Sequence, residues 1–353
     1  MASSKKKKKK ARMRFLLTVG CVVMGLVFAT LLAGTVYAEY LLGRMNYYPD
    51  TPRETMSLED AEALLKQETD PVDENYTGPE HKEEDVILET AGEIIPTSKN
   101  VVNVLLIGAD YQSGDFARSD SMILCTFNKT KNTITMTSLM RDMYVQIPVK
   151  NNGHTYIYKD RINASYTLGG MNMLKDTLEH NFGLEVNGVV EVDFSHFQEL
   201  IDMLGGVELE LNYMEAEFIN WKNGDSLTAG THVLNGKQAL WYSRFRGDAG
   251  GDFNRTNRQR VVLGKLIDRY RSITLKEMLS MMDDILPMVT TDMDKNEILS
   301  YATGLFPMLV NAEIITQRIP AEGGYYMTKI DGKSVLVPDI RFNIEVLKNT
   351  LAE

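Results

Sequence analysis

The sequence predicts an α/β fold: a layered αβα domain with a central mixed sheet and helices on both faces, preceded by one transmembrane helix. Two observations predict the domain. From about Asn100 onward, apolar runs are continuous rather than alternating, as in strands covered on both faces. Segments of helical periodicity alternate with those runs, the pattern of a layered α/β core. A third observation, an uncharged apolar stretch behind a basic run, predicts the membrane span.

The N-terminal elements come first. Lys5 to Lys10 is an unbroken basic run, extended by Arg12 and Arg14, so residues 1–14 form a basic tail. Phe15 to Ala38 follows, 24 positions without a charge. About 20 apolar residues cross a bilayer as a helix, and the basic flank keeps the tail cytoplasmic and the bulk of the chain outside. A cleaved signal peptide is the alternative, with Val36 and Ala38 as small residues at a cleavage site, but its apolar core would run only ~7–15 residues. Residues 39–99 read as an acidic spacer. Glu54 to Glu93 holds fourteen acids against Lys66 and Lys82, and Pro71, Gly78 and Pro79 punctuate it. Such a segment buries too little apolar surface to fold alone, although Ser57 to Gln67 has helix-start residues.

Residues 100–353 form the domain. Strands are predicted at Val101 to Ile107, Ser121 to Phe127, Thr133 to Leu139, Val186 to Val192 and Val207 to Leu211. Helices are predicted at Leu168 to Phe182, Ser195 to Leu204, Thr256 to Tyr270, Leu275 to Val289 and Glu297 to Leu309. Ser195 with Gln198 starts the second of these helices and Gly205-Gly206 stops it. About 250 residues suffice for one sizeable core, and neither an internal repeat nor a separate C-terminal domain is visible.

Charge and motifs narrow the chemistry. The chain carries a net charge of -10, and without the eight basic residues up to Arg14 the remainder stands at -18. That argues against DNA or RNA as a partner, since nucleic-acid modules are basic. Cys21 falls in the span and Cys125 in an apolar run, so no internal disulfide is available. The five histidines lack zinc-ligand spacing. No GxGxxG follows a strand, and no GxSxG elbow occurs.

Against this acidic background, Arg244, Arg246, Arg255 and Arg258 crowd into fifteen positions. Guanidinium groups fork two donors onto phosphate oxygens, so the pattern predicts a phosphate or pyrophosphate ligand. Arg244 and Arg246 point the same way if their segment is extended. Arg255, Arg258 and Gln259 share a helix face at i, i+3 and i+4, and the helix start adds backbone N–H groups. Asp110, at the end of the first core strand, and Asp120, just before the second, could together hold one hard cation. Arg118 precedes Asp120, and Arg141 at the exit of the third strand can reach the same rim.

These pieces resemble the LytR-CpsA-Psr family of bacterial cell-envelope proteins. The matching blocks are NVLLIGAD, RSDSMILCTFN, ITMTSLMRDMYVQIP, RINASYTLGG, VEVDFSHFQELIDMLGGVELEL and LNGKQALWYSRFR followed by GDFNRTNRQ, in that order across about Asn100 to Arg271. The resemblance implies a magnesium-dependent phosphotransferase, with manganese as the alternative ion. Such an enzyme moves a glycopolymer, such as teichoic acid, from a polyprenyl-pyrophosphate carrier onto peptidoglycan. Position by position, it implies that Asp110 and Asp120 ligate the cation and that Arg118 and Arg141 flank the head group. Arg244, Arg246, Arg255 and Gln259 would grip the pyrophosphate, and Asp252 would serve as base or orienting group. Met122, Leu124, Phe194, Phe197, Leu200, Ile201, Met203, Leu204, Val262 and Leu266 are the candidate lining of a lipid trough. A non-catalytic binder of lipid-linked polymer and an envelope regulator remain the alternatives; only fourteen residues before the span argue against the regulator.

Overall fold

The computed structural model describes residues 34, 36–48, 78–110, 118–151 and 154–352, with the side chains of Asp110 and Arg118 outside that description. Most of the expected span and the Ser57 to Gln67 helix also lie outside it. No helix among the described residues is long and apolar enough to cross a membrane.

Fourteen strands are described, of which seven form the central sheet. These are β1 (Asn46–Tyr47), β3 (Val101–Asp110), β4 (Arg118–Asn128), β5 (Thr133–Leu139), β8 (Gly188–Asp193), β11 (Thr290–Thr291) and β12 (Glu313–Ile319), in the order β1-β11-β8-β3-β4-β5-β12. Strands β3 and β8 run parallel, β4 is antiparallel to β3 and β5, and β12 is parallel to β5, so the sheet is mixed as expected. Strands β3, β5, β8 and β12 therefore end at one edge. That edge is where open α/β sheets carry ligands.

Each sheet face is covered. Alternation along β3 and β4 sends Leu105, Ile107, Met122 and Leu124 to one side, against Leu174 and Leu178 of α1 (Ile162–Phe182). The other side buries Val104 and Ile134 under Leu305 and Met308 of a helix spanning Lys295–Asn311, and Ile123 and Met136 under Ile267. Met122 and Leu124 thus belong to the main core rather than to a trough. Their even numbering puts them on the face opposite Ile123.

Helix α1 is broken at Gly169-Gly170, where Gly170 adopts φ +64 and a Cβ would lie 2.0 Å from the Tyr48 hydroxyl oxygen. Only glycine fits there. Helix α2 (Phe194–Met203) starts one residue earlier than expected, because Asp193 rather than Ser195 is its cap and accepts from the His196 N–H. Helices α3 (Tyr213–Asn223) and α4 (Gly236–Arg244) were not legible as helices. They pack with α2 and the strand pair β9 (Val207–Leu211) and β10 (Gly230–Leu234) into a second apolar cluster, which includes Ile201 and Val262. Helix α5 (Gly251–Ser272) begins five residues before the expected Thr256.

Part of the expected spacer is packed on the domain. β2 (Glu80–His81) pairs with β13 (Tyr325–Ile330), and Val86 and Ile95 are 3% and 5% exposed. A continuous acidic count hid these apolar anchors. Cys125 is buried as a free thiol.

Candidate active site

The bulge between Gly108 and Ala109 builds the first part of the site. There Gly108 pairs with Ser121 and Ala109 with Ser119, so Asp120 is the extra residue of β4. A bulge re-aims a side chain while the strand continues. Arg141 leaves β5 two residues beyond Leu139 and donates from Nη1 to Asp120 Oδ1 at 2.8 Å. The backbone pairs Asp110 with Arg118 at the same edge.

Three carboxylates and four guanidinium groups meet here. Arg141 Nε lies 3.6 Å from Asp142 and 4.0 Å from Asp252, and Arg161 Nε lies 3.8 Å from Asp142. Arg255 Nη2 donates to Asp252 Oδ2 at 3.0 Å, with its Nε 2.9 Å from Oδ1. Arg246 Nε lies 3.4 Å from the same Oδ1. Asp252 is thus the hub that aligns Arg246 and Arg255. Asp252 Oδ1 and the Nε atoms of Arg141 and Arg255 are buried without a hydrogen-bond partner within the protein. These atoms face one another at 2.9–4.0 Å as charge pairs without an aligned hydrogen bond.

The cluster shifts its members in opposite senses. Burial raises the Asp120 carboxyl, but Arg141, Arg255 and Arg246 together outweigh it and hold the group below the usual range. Burial, assisted by Asp252, leaves Asp142 above that range even though Arg141 and Arg255 oppose it. Burial, opposed by Asp252 and reinforced by Arg141 and Arg246, pushes Arg255 down to about 10, which leaves it charged at neutral pH.

The remaining candidates divide. Gln259 sits over the bulge and accepts from the Ser121 hydroxyl at 3.1 Å. Arg244 ends α4 rather than lying in an extended segment, and its guanidinium stacks 4.8 Å from the Phe194 ring centre. Phe194 in turn is 3.8 Å from where a Gly108 Cβ would be, so Arg244 borders the bulge. Arg258 is turned away. Its Nε donates to Glu215 Oε1 at 2.7 Å, Nη1 to the Phe245 carbonyl at 3.3 Å, and Nη2 to Asp248. On a 3.6-residue helix Arg258 lies about 60° to one side of Arg255 and Gln259 about 40° to the other. The two therefore face different layers.

Asp142 and Arg161 were not picked out as site residues from the sequence, although both lie within blocks that carry the family resemblance. Their signal was a charged residue three positions after an apolar strand, for Asp142, and directly before a helix, for Arg161.

For a hard cation, the donor chemistry fits: Asp120 stays ionised, sits at the strand edge and keeps one oxygen engaged by Arg141. Among the described residues, no group of three or more His, Cys, Asp or Glu converges as a metal cage.

Of the expected lipid-trough residues, Phe194, Phe197, Leu200, Met203, Leu204 and Leu266 are half-buried on α2, the turn after it and α5. Ile201 and Val262 are fully buried in the second cluster.

Known proteins match this arrangement. Polyisoprenyl-teichoic acid--peptidoglycan teichoic acid transferase TagU of Bacillus licheniformis is 37% identical over 173 residues, 49% of this chain and 53% of that protein. Regulatory protein MsrR of Staphylococcus aureus is 37% identical over 165 residues, 47% of this chain and 48% of that protein. The chain thus spans about half the length of the curated relatives it matches. Among solved structures, TagT bound to LIIa-WTA superposes with a TM-score of 0.58 at 27% identity, covering 74% of this chain and 94% of that one. The LytR_cpsA_psr family model matches residues 63–352, and the chain belongs to that family.

Proposed function

We propose that the protein transfers a glycopolymer phosphate from a polyprenyl-pyrophosphate carrier to a sugar hydroxyl of peptidoglycan, at the outer face of a membrane that its N-terminal segment spans. The observation that carries this reading is the convergence of four guanidinium groups, Arg141, Arg161, Arg246 and Arg255, on three carboxylates at the carboxyl edge of the sheet. A relative named for this transfer and a solved relative holding LIIa-WTA support it.

The residues divide the work. Arg246 and Arg255, held by Asp252, take the diphosphate, with Gln259 and Arg244 at its flank and Arg118 at the start of β4. Asp252 orients, holding Arg246 at 3.4 Å and Arg255 at 2.9 Å. Asp142, whose carboxyl binds a proton more readily than usual, takes the proton of the acceptor hydroxyl. That oxygen attacks the phosphorus carrying the polymer, the bond to the bridging oxygen breaks, and polyprenyl phosphate leaves. Arg141 and its neighbours stabilise the charge that develops on the leaving group. A magnesium ion held by Asp110 and Asp120 would neutralise further diphosphate charge. The half-buried apolar residues of α2 and α5, from Phe194 to Leu266, receive the prenyl chain.

The test is transfer by the purified full-length protein, supplied with lipid-linked polymer, peptidoglycan and magnesium. Arg255→Ala and Asp120→Ala should each reduce it on the order of 10²-fold or more while the variants stay folded. Undiminished transfer by both would remove the catalytic reading and leave a binder.

A further inference from the structure

Helix α3 is capped at both ends: Asn212 and Glu215 form a capping box, and Gly224 closes it in the left-handed conformation. Fraying therefore does not explain its surface, where Tyr213, Met214 and Trp221 are 66%, 47% and 74% exposed. Tryptophan is ordinarily highly buried. These rings are not isolated. The Phe218 ring centre is 6.1 Å from that of Trp221 and 6.2 Å from that of Trp241. The Arg244 guanidinium lies 5.5 Å from the Trp241 ring and 4.8 Å from the Phe194 ring. A strip of aromatic rings thus runs from the open surface to the border of the arginine cluster, with Lys222 over one face of Trp221, Phe218 and Trp241 and Arg244 over one face of Trp241 and Phe194.

We propose that this strip is a docking track for an uncharged glycan strand, the acceptor's sugar chain, ending where Arg244 meets Phe194. The inference rests on the transfer reading for the identity of that acceptor. Pyranose rings present apolar C–H faces that lie on aromatic rings, and hydroxyls that hydrogen-bond at their rims. The charge on α3 suits such a partner. Lys222 Nζ sits 4.1, 5.7 and 5.0 Å from the Trp221, Phe218 and Trp241 ring centres. Glu217, one turn before Trp221, is exposed and bonded to the Tyr213 hydroxyl. One cation and one anion give this face of α3 no net charge. An anionic bilayer is attracted by several basic residues together, and a phosphate polymer by clustered guanidinium groups. The strip itself holds only two separated cations, Lys222 and Arg244, each laid on a ring.

The protein contains two tryptophans, Trp221 and Trp241, and both lie in the strip. Intrinsic fluorescence therefore reports on it directly. Full-length protein in nanodiscs of neutral lipid is titrated with chitohexaose, an uncharged chain of N-acetylglucosamine. The expected result is a saturable emission change, weakened at least tenfold by Trp221→Ala and largely restored by Trp221→Phe. In the transfer assay, Trp221→Ala should raise the acceptor KM and keep kcat. Saccharide binding through Trp221 in a protein that transfers nothing would uphold the track and sink the transfer reading. Absence of a saturable response, or equal affinity in Trp221→Ala, overturns the proposal. So does a Trp221-dependent shift that appears only when anionic lipid replaces neutral lipid in the discs, which would make this a membrane-facing surface.

Discussion

Arg255 and Arg258 stand three residues apart on one helix, both nearly inaccessible, and they do opposite things. Arg258 spends its donors inside the protein, on Glu215, Asp248 and the Phe245 carbonyl, and lies 4.7 Å from the Phe245 ring. It locks the arginine-bearing loop to α3. Arg255 is held by a single carboxylate, Asp252, which it shares with Arg246 and Arg141. The contrast teaches that residue type alone does not mark a ligand site. What separates the two is the company each keeps: Arg258 has carboxylates of its own, whereas Arg255 shares Asp252 with Arg141 and Arg246 at the sheet edge.

Substitutions break the comparison from its strong end downward. Arg258→Ala should lower stability by ~3–5 kcal/mol, because Glu215 is left buried and unpaired; urea unfolding measures this, and a loss below ~1 kcal/mol would contradict the scaffold role. Arg255→Ala should instead reduce transfer on the order of 10²–10³-fold, as loss of one charge-stabilising donor does, with an unfolding midpoint close to that of the parent. Gly170→Ala should cost roughly 1–3 kcal/mol, since its left-handed backbone and the Tyr48 hydroxyl both oppose a Cβ; thermal unfolding reads it.

The smallest effects concern pH and sharpen the contrast within the cluster. Asp120 has a depressed carboxyl in the folded state, so its contribution is present above the unfolded value and is lost as pH falls through the folded one. Asp142 is raised, so it weakens the fold as pH climbs from the unfolded value to the folded one. Asp142→Asn should therefore raise the melting temperature relative to the parent more at pH 8 than at pH 4, and Asp120→Asn should lower it more at pH 8. Parallel behaviour of the two variants would contradict the assignment.

Strands whose apolar runs are continuous were legible: β5 and β9 span the predicted residues, and β3 and β4 extend them. Helix α3 was not, since its Glu215 is buried as an ion pair with Arg258 that no hydropathy pattern registers, and its Tyr213 and Trp221 face outward. In the site, Arg246 and Arg255 were readable because like charges crowd there in an otherwise acidic chain, Arg141 from its place at a strand exit, and Asp252 only through the family resemblance. Asp142 and Arg161 were not, because their meeting depends on the β6–β7 hairpin (Tyr144–Asn151 and His154–Arg161), which returns Arg161 opposite Tyr144. The face on which Met122 and Leu124 lie depended on which neighbours cover each side of the sheet, and periodicity fixes alternation without naming the side.

The central claim is that the clustered arginines hold a diphosphate. Isothermal titration of the full-length protein with a soluble prenyl pyrophosphate tests it most directly. Wild-type protein should bind, and Arg246→Ala with Arg255→Ala should weaken binding by ~1.5–3 kcal/mol per charged hydrogen bond lost. Unchanged affinity in that double variant, measured on folded protein, would contradict the account.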